Sequence, residues 1–222
     1  VGIWDGTYKL AYTDNPAWLF LQLLTHAAGA NLPDSMVDRW SLYSAARYCD
    51  ELVPSGLKNS DGSDIMEPRF TAHFNLNTAQ EAYAALNALA STFRAMAYWA
   101  NGAVQVVQDA PRDPHVIVSP ANTTGGLEFA GPAARAIHTV AIVSFINEEG
   151  DQDVEVYQDA DLIERYGWQA SEITAFATKS RGQAKRLGKW LIETEKLGDT
   201  LSYRTSLDHI EAAPGDIVAV AG

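Results

Sequence analysis

Residues 139–146 read Thr-Val-Ala-Ile-Val-Ser-Phe-Ile, an apolar run with no Gly, Pro or charge inside it. A short run of this kind, rich in β-branched residues, suits a strand buried on both faces. Working towards the C-terminus, Asp153 to Tyr157 predicts a shorter strand, and Asp161 to Tyr166 one or two helical turns closed by Gly167. Glu172 to Thr178 predicts another strand. Ser180-Arg181-Gly182-Gln183 has capping-box spacing, and the helix it opens carries Ala184, Leu187, Leu191 and Thr194 on one face. Lys185, Arg186, Lys189 and Glu193 fall on the opposite, solvated side. Thr200 to Leu207 alternates, and Pro214-Gly215-Asp216 turns the chain into Ile217 to Val220.

Towards the N-terminus, Pro111, Pro114 and Pro120 mark the most proline-rich stretch and the expected boundary between two halves. Before it, Asn101-Gly102 predicts a hairpin pairing Ala97-Tyr98-Trp99 with Val104 to Val107. A helix opens at Thr78, with Glu81 completing a capping box, and runs through Ala82, Leu86, Leu89, Phe93 and Met96. Phe70, Ala72, Phe74 and Leu76 alternate with polar residues, the period of a strand. Residues 55–65 are polar, contain glycine and lack periodicity, so they read as a loop. A helix from about Asp34 to Leu52 has Val37, Trp40, Tyr43 and Ala45 or Ala46 as its apolar set, with Pro54 and Gly56 ending it. Asn15 followed by Pro16 is an N-cap with proline at the first helical position, and that helix is expected to end near Gly29. Ile3 to Ala11 reads as a short strand. The sum is an α+β chain in two modules, a helix-rich half at 1–117 and a strand-rich half with one long helix at 118–222.

The composition is that of a globular protein: 47% hydrophobic and 20% charged over 222 residues. The net charge of −12 disfavours nucleic-acid phosphate or anionic lipid as a partner. Cys49, the one cysteine, makes no internal disulfide and reads as a small buried hydrophobe. The apolar run from Pro16 to Leu24 is well short of the ~20 residues of a membrane span. A start at Val1 and an end at Val218-Ala-Val-Ala-Gly222 read as a piece excised from a longer protein.

The sequence contains no catalytic motif. The histidines, His26, His73, His115, His138 and His209, show no metal-ligand spacing, and no nucleophile elbow, phosphate loop or dinucleotide fingerprint is present. His138 near Ser144 lacks a placed third group, so a structural histidine is the better reading. No catalytic, cofactor or metal residue is therefore assigned. Glu148, Glu149, Asp151, Asp153, Glu155, Asp159, Asp161 and Glu164 crowd together with no Lys or Arg between them until Arg165. A calcium loop starting at Asp151 would need Gly and Glu where Val156 and Leu162 stand. These residues are thus the candidate acidic surface. Lys179, Arg181, Lys185, Arg186 and Lys189 read as a helix face turned to water or to acidic groups. The six tryptophans, Trp4, Trp18, Trp40, Trp99, Trp168 and Trp190, mostly stand beside apolar residues and are expected to pack in the core.

A set of short strings then occurs in order: Asn15-Pro-Ala-Trp, Asp38-Arg-Trp-Ser-Leu-Tyr, Tyr48-Cys-Asp-Glu, Glu67-Pro-Arg-Phe-Thr, Val107-Gln-Asp-Ala-Pro, Arg165-Tyr-Gly, Ala175-Phe-Ala-Thr-Lys-Ser-Arg-Gly-Gln-Ala-Lys-Arg, Trp190-Leu-Ile-Glu-Thr-Glu and Pro214-Gly-Asp-Ile-Val. In order and spacing they resemble the central part of the host-specificity protein J family, the tail-tip hub of lambda-like phages and prophages. The departures are loops: 57–66 is longer and 147–153 shorter than the family pattern. The resemblance implies trimers around the tail axis, with tube-like domains presenting a pseudo-sixfold ring to the tail tube and framing the DNA path. It implies contacts with other tail-tip and tail-tube proteins, a place in the virion after assembly in the host cytoplasm, and no binding to specific nucleic acid or to membrane. It carries over no catalytic residue, and it leaves receptor binding to a part of the protein beyond this chain. The competing readings are a tail-associated cell-wall hydrolase and a carbohydrate- or receptor-binding module.

Overall fold

The computed structural model describes residues 4–7, 9, 11–75, 82–132 and 137–221. The chain is α+β and divides into two compact units. One holds residues 1–108, 143–155 and 174–187, and the other holds 109–142, 156–173 and 188–222. The units thus alternate along the chain.

In the first unit, helix α1 (Pro16–Thr25) starts as expected: Asn15 caps it by accepting a hydrogen bond from the Ala17 amide at 3.0 Å. The same side chain donates to Ala46 O and to Asp50 Oδ1, both at 2.8 Å, so one buried asparagine starts α1 and ties it to helix α2 (Arg39–Asp50). Helix α1 stops at Thr25, before the expected Gly29. The chain folds back so that the Ala30 and Leu32 amides donate to Leu23 O and Leu24 O. Gly29 permits that approach, since a Cβ there would run into the Leu23 carbonyl.

Helix α2 is shorter than expected because Asp34–Met36 forms a separate 3₁₀ turn and Asp38 is the N-cap, accepting from Trp40 N at 3.0 Å. Its buried stripe is Leu42, Ala45, Ala46 and Cys49, at i, i+3, i+4 and i+7. Trp40 and Tyr43 lie off that stripe, which corrects the expected apolar set; Val37 is buried but precedes the helix.

The polar segment after α2 is also a correction. Strands β1 (Leu52–Lys58) and β2 (Asp64–Pro68) pair antiparallel across residues read as a loop. A bulge between Pro54 and Lys58 breaks the alternation that would have revealed them. The alternating segment 70–74 is, conversely, not a strand. Its amides donate to scattered partners: Phe70 to Cys49 O, Ala72 to Asp14 O and His73 to Ala177 O. The alternation is real, with Phe70 and Ala72 buried, but no neighbouring strand supplies a ladder. Leu76 lies outside the described residues.

Helix α3 (Ala82–Thr92) follows; the expected opening at Thr78 and Glu81 lies outside the described residues. Its Leu89, with Phe93 just beyond its end, enters the core, but Met96 belongs to strand β3 (Ala95–Ala100). Strands β3 and β4 (Ala103–Gln108) form the expected hairpin, with Trp99 opposite Val104 and Ala97 opposite Val106. Asn101 and Gly102 take φ of 53° and 77°, the left-handed pair that a two-residue turn requires. Phe20 and Phe93 meet edge-on at 6.2 Å in the middle of this core. Each fully buried ring contributes about 2–3 kcal/mol.

In the second unit, strand β5 (Val116–Val118) pairs parallel with β11 (Val218–Val220), and β6 (Thr124–Ala130) pairs antiparallel with β10 (Thr200–Arg204). Strand β7 (Val140–Ile146) is the run that opened the reading; Val140, Ala141, Val143 and Phe145 are buried, but Ile142 and Ser144 are half-buried and Ile146 is exposed, so one face is fully covered and the other only in part, a correction to the expected burial on both faces. It is central in a three-stranded sheet of order β8-β7-β9, with β8 at Gln152–Gln158 and β9 at Ala170–Thr174. Strand β9 ends at Thr174, short of the expected Thr178, where Ala177 takes a left-handed φ of 57°. Helix α4 (Ala160–Tyr166) is closed by Gly167 as expected. Helix α5 (Arg181–Lys196) opens at Ser180, whose Oγ accepts from Gln183 N at 3.1 Å. Ala184 and Ile192 are buried on α5, while Thr194 is exposed rather than on the covered face. Residues of β7, β8, β9 and α5 divide between the two units.

Candidate functional site

Several charged residues of the chain are held in ion pairs that tie its elements together. Asp153 and Glu155 project from one side of β8, and Arg181, the first residue of α5, meets both, at 2.8 Å and 3.0 Å. Hydrogen bonding from Arg181, then from the Val154 amide, holds the Asp153 carboxyl below the ordinary range. Asp159 caps α4, accepting from the Asp161 and Leu162 amides, and pairs with Lys196 at 3.1 Å. The Leu162 amide first, and Lys196 second, keep its pKa low. The neighbouring Tyr157 is shifted up by burial, then by the charges of Glu193 and Asp159. Glu148, Glu149, Asp151, Asp161 and Glu164 remain exposed. The eight acidic residues therefore separate into buttresses at Asp153, Glu155 and Asp159 and a solvated set in the remaining positions.

A second cluster was not legible in the sequence. Glu67 on β2 accepts from Ser180 Oγ at 2.6 Å and pairs with Arg186, which also donates to Arg69 O at 2.9 Å. Arg186 is thus half-buried in an ion pair, a correction to its expected place on the solvated face; Lys185 and Lys189 are exposed as expected. Gly182 packs directly on β1, since a Cβ there would sit 2.5 Å from Ser55 O. Gln183, also on α5 and almost fully buried, accepts from the Thr71 amide at 3.0 Å and donates to Thr71 O at 3.1 Å. It serves as the ladder partner that the 70–74 segment otherwise lacks.

His138 is engaged by Glu195, which accepts from its backbone N at 2.8 Å and lies 2.9 Å from its Nδ1. The His209 ring lies 3.2 Å from the Asn122 amide nitrogen. Among the described residues no group of three or more His, Cys, Asp or Glu is arranged to hold a metal ion, and no helix is long and apolar enough to cross a membrane. Burial pushes the Cys49 thiol up to about 12, so it is neither nucleophile nor ligand at neutral pH.

The tryptophans correct the packing expectation in part: Trp18 packs against the core of the first unit, and Trp4 and Trp190 are half-buried. None is in the fully buried core, and Trp40, Trp99 and Trp168 are 54%, 56% and 62% exposed. Trp4 stacks on Tyr43 at 4.6 Å and meets Trp40 edge-on at 5.0 Å, so part of this aromatic surface is packed on itself.

Comparison with known proteins decides the family. Residues 81–222 match the Phage-tail_3 family, described as "Putative phage tail protein". The chain belongs to this phage tail family. It is 32% identical over 226 residues to the tip attachment protein J of Escherichia phage SECphi27, and 28% identical over 227 residues to that of Escherichia phage SECphi4. Both alignments cover 99% of this chain, which spans 18% and 19% of the two relatives. The similarity to protein J thus runs along the whole chain, as the ordered strings indicated. The 43 kDa tail protein of prophage MuSo2 from Shewanella oneidensis superimposes with a TM-score of 0.44 at 16% identity, over 75% of this chain and 52% of that one. As a phage tail protein, the chain has a structural role in the tail.

Proposed function

We propose that the chain is a piece of the central hub at the tail tip, joining the tail tube to the host-recognition region and framing the path of the ejected DNA, and that it performs no catalysis. The observation that carries this reading is the similarity to two tip attachment proteins over 99% of the chain. In the full-length protein the hub is a trimer in contact with tail-tube and other tail-tip proteins, and each chain contributes two tube-like modules to a pseudo-sixfold ring. It resides in the virion after assembly in the host cytoplasm. It binds neither membrane nor specific DNA sequence. The net charge of −12 and the solvated acids Glu148, Glu149, Asp151, Asp161 and Glu164 support a lining that repels phosphate and lets DNA slide. The absence of a hydrolase is tested by zymography on peptidoglycan, where clearing by the chain would defeat the non-catalytic reading. The hub role is tested by deleting residues 1–222 from the full-length protein. Tubes without a closed tip are expected, and normal infectious particles would refute it.

A further inference from the structure

We propose that the cleft between helix α1 and segment 72–75 binds an acidic peptide segment, one that carries a carboxylate next to an apolar side chain. The cleft measures about 640 Å³, within the range of ligand sites, and all ten residues lining it belong to the first unit. Its floor comes from an apolar surplus on α1. Ala17, Phe20 and Leu24 fill the core, while Leu19 and Leu23 are only half-buried and line the cleft. Phe74, tilted against Phe176 at 5.7 Å, extends this apolar surface. The wall is held by backbone bonds, Ala72 N to Asp14 O and His73 N to Ala177 O, both at 2.8 Å.

The polar side chains define the ligand. Lys179 lines the cleft, is half-buried, and has no ion-pair partner among the described residues. A cation withdrawn from water in this way gains from an anion. None of the ten lining residues is Asp or Glu, in a chain with 28 of them and a net charge of −12. A negative ligand is repelled by most of such a surface within a Debye length of about 8 Å. In the cleft Lys179 offsets that repulsion. The side chains of Gln22, His73 and Asn75 are also without partners among the described residues. A side-chain amide offers a donor and an acceptor side by side, the complement of a peptide group. Gln183 of the same unit uses its amide in this way on Thr71. Gln22 and Asn75 therefore suit a peptide backbone, which a fatty acid or a phosphate lacks. The leucines and Phe74 take the apolar side chain, and Lys179 takes the carboxylate.

The test titrates the chain with acetyl-Ala-Leu-Glu-Leu-amide, with the same peptide carrying Gln for Glu, and with octanoate, followed by ¹H–¹⁵N NMR. Shifts are expected at the amides of Thr13, Gln22, His73 and Asn75. The Glu peptide should bind about fivefold more tightly than the Gln peptide, the gain of one partly buried charge-assisted bond. Lys179→Met should erase that preference while the Gln peptide binds as it does to the parent. Raising salt towards about 1 M should shrink the same preference in the parent chain, a reading that needs no variant. Equal affinity for the two peptides, shifts away from these amides, or no binding would overturn the proposal. Tighter binding of octanoate in the cleft would make the ligand a lipid carboxylate and overturn the peptide assignment. Sedimentation of the unliganded chain as a dimer that Lys179→Met dissolves would give the cleft to a second copy and overturn it likewise.

Discussion

Replacing Gly182 by alanine gives the sharpest test of how β1 and β2 are held. In an ordinary helix the change stabilises by up to about 1 kcal/mol, because alanine loses less backbone entropy. Here the added Cβ would lie 2.5 Å from Ser55 O and 2.9 Å from Ser55 Cα, both backbone atoms, and would strike Glu67 Oε1 as well. Backbone must give way, and overpacking of this kind costs about 1–3 kcal/mol. Displacing Glu67 also loosens its bonds to Ser180 and Arg186, where a hydrogen bond to a charged group is worth about 1.5–3 kcal/mol. Net of the propensity gain, Gly182→Ala should destabilise by about 2 kcal/mol. Urea unfolding would read this as a lower midpoint at unchanged slope. Lys185→Ala, on the exposed side of the same helix, should stay within about 0.5 kcal/mol of the parent. A Gly182→Ala protein as stable as the parent would refute the close packing of α5 on β1.

Asn15→Ala removes the α1 cap together with the buried bonds to Ala46 O and Asp50, and should cost about 2–3 kcal/mol in the same assay. Trp168→Ala should cost no more than about 0.5 kcal/mol, since a ring this exposed has little packing to lose; a loss of about 3 kcal/mol or more would show it buried. The Asp153 and Asp159 carboxyls have folded pKa values below their unfolded ones. Their stabilisation is thus complete above the unfolded value of about 4 and lost as pH falls through the folded values. Carboxyl ¹³C titration of Lys196→Met should find the Asp159 pKa raised only partway, because the Leu162 amide, its first cause, remains. A return to the ordinary carboxylate value would make Lys196 the dominant partner instead. Cys49 should stay unreactive towards a thiol reagent at pH 8 until urea unfolds the chain.

The elements that could be read from the sequence are those whose signals are local. Asn15-Pro16 and Asn101-Gly102 specify a cap and a turn by the chemistry of adjacent residues, and the 139–146 run specifies a strand by its β-branched residues and its lack of charge, glycine and proline. The elements that escaped depend on distant partners. Strands β1 and β2 are polar, bulged and interrupted by proline, and they are anchored by Ser180 and Arg186, more than a hundred residues along the chain. Arg186 sits at a position whose helical spacing points to water, and only the fold brings Glu67 to it. Segment 70–74 shows the reverse failure, since its alternation is present but its hydrogen-bond partners are scattered. Trp99, exposed although it stands between Tyr98 and Ala100, shows that apolar neighbours in sequence do not place an aromatic ring inside. For the acidic stretch, residue type announced the charge, but only the positions of Arg181 and Lys196 separate the structural carboxylates from the solvated ones. Function followed another path: short strings in a fixed order carried the family, and the residue chemistry excluded familiar catalytic motifs without naming a role.

The central claim is that this chain sits in the hub at the tail tip. An epitope inserted in the exposed turn at residues 59–63 of the full-length protein, imaged by cryo-electron microscopy of intact particles with a bound antibody fragment, measures it directly. The account predicts antibody density around the axis at the tip, below the last tube ring. Density along the tube, at the head, or on no particle at all would contradict it.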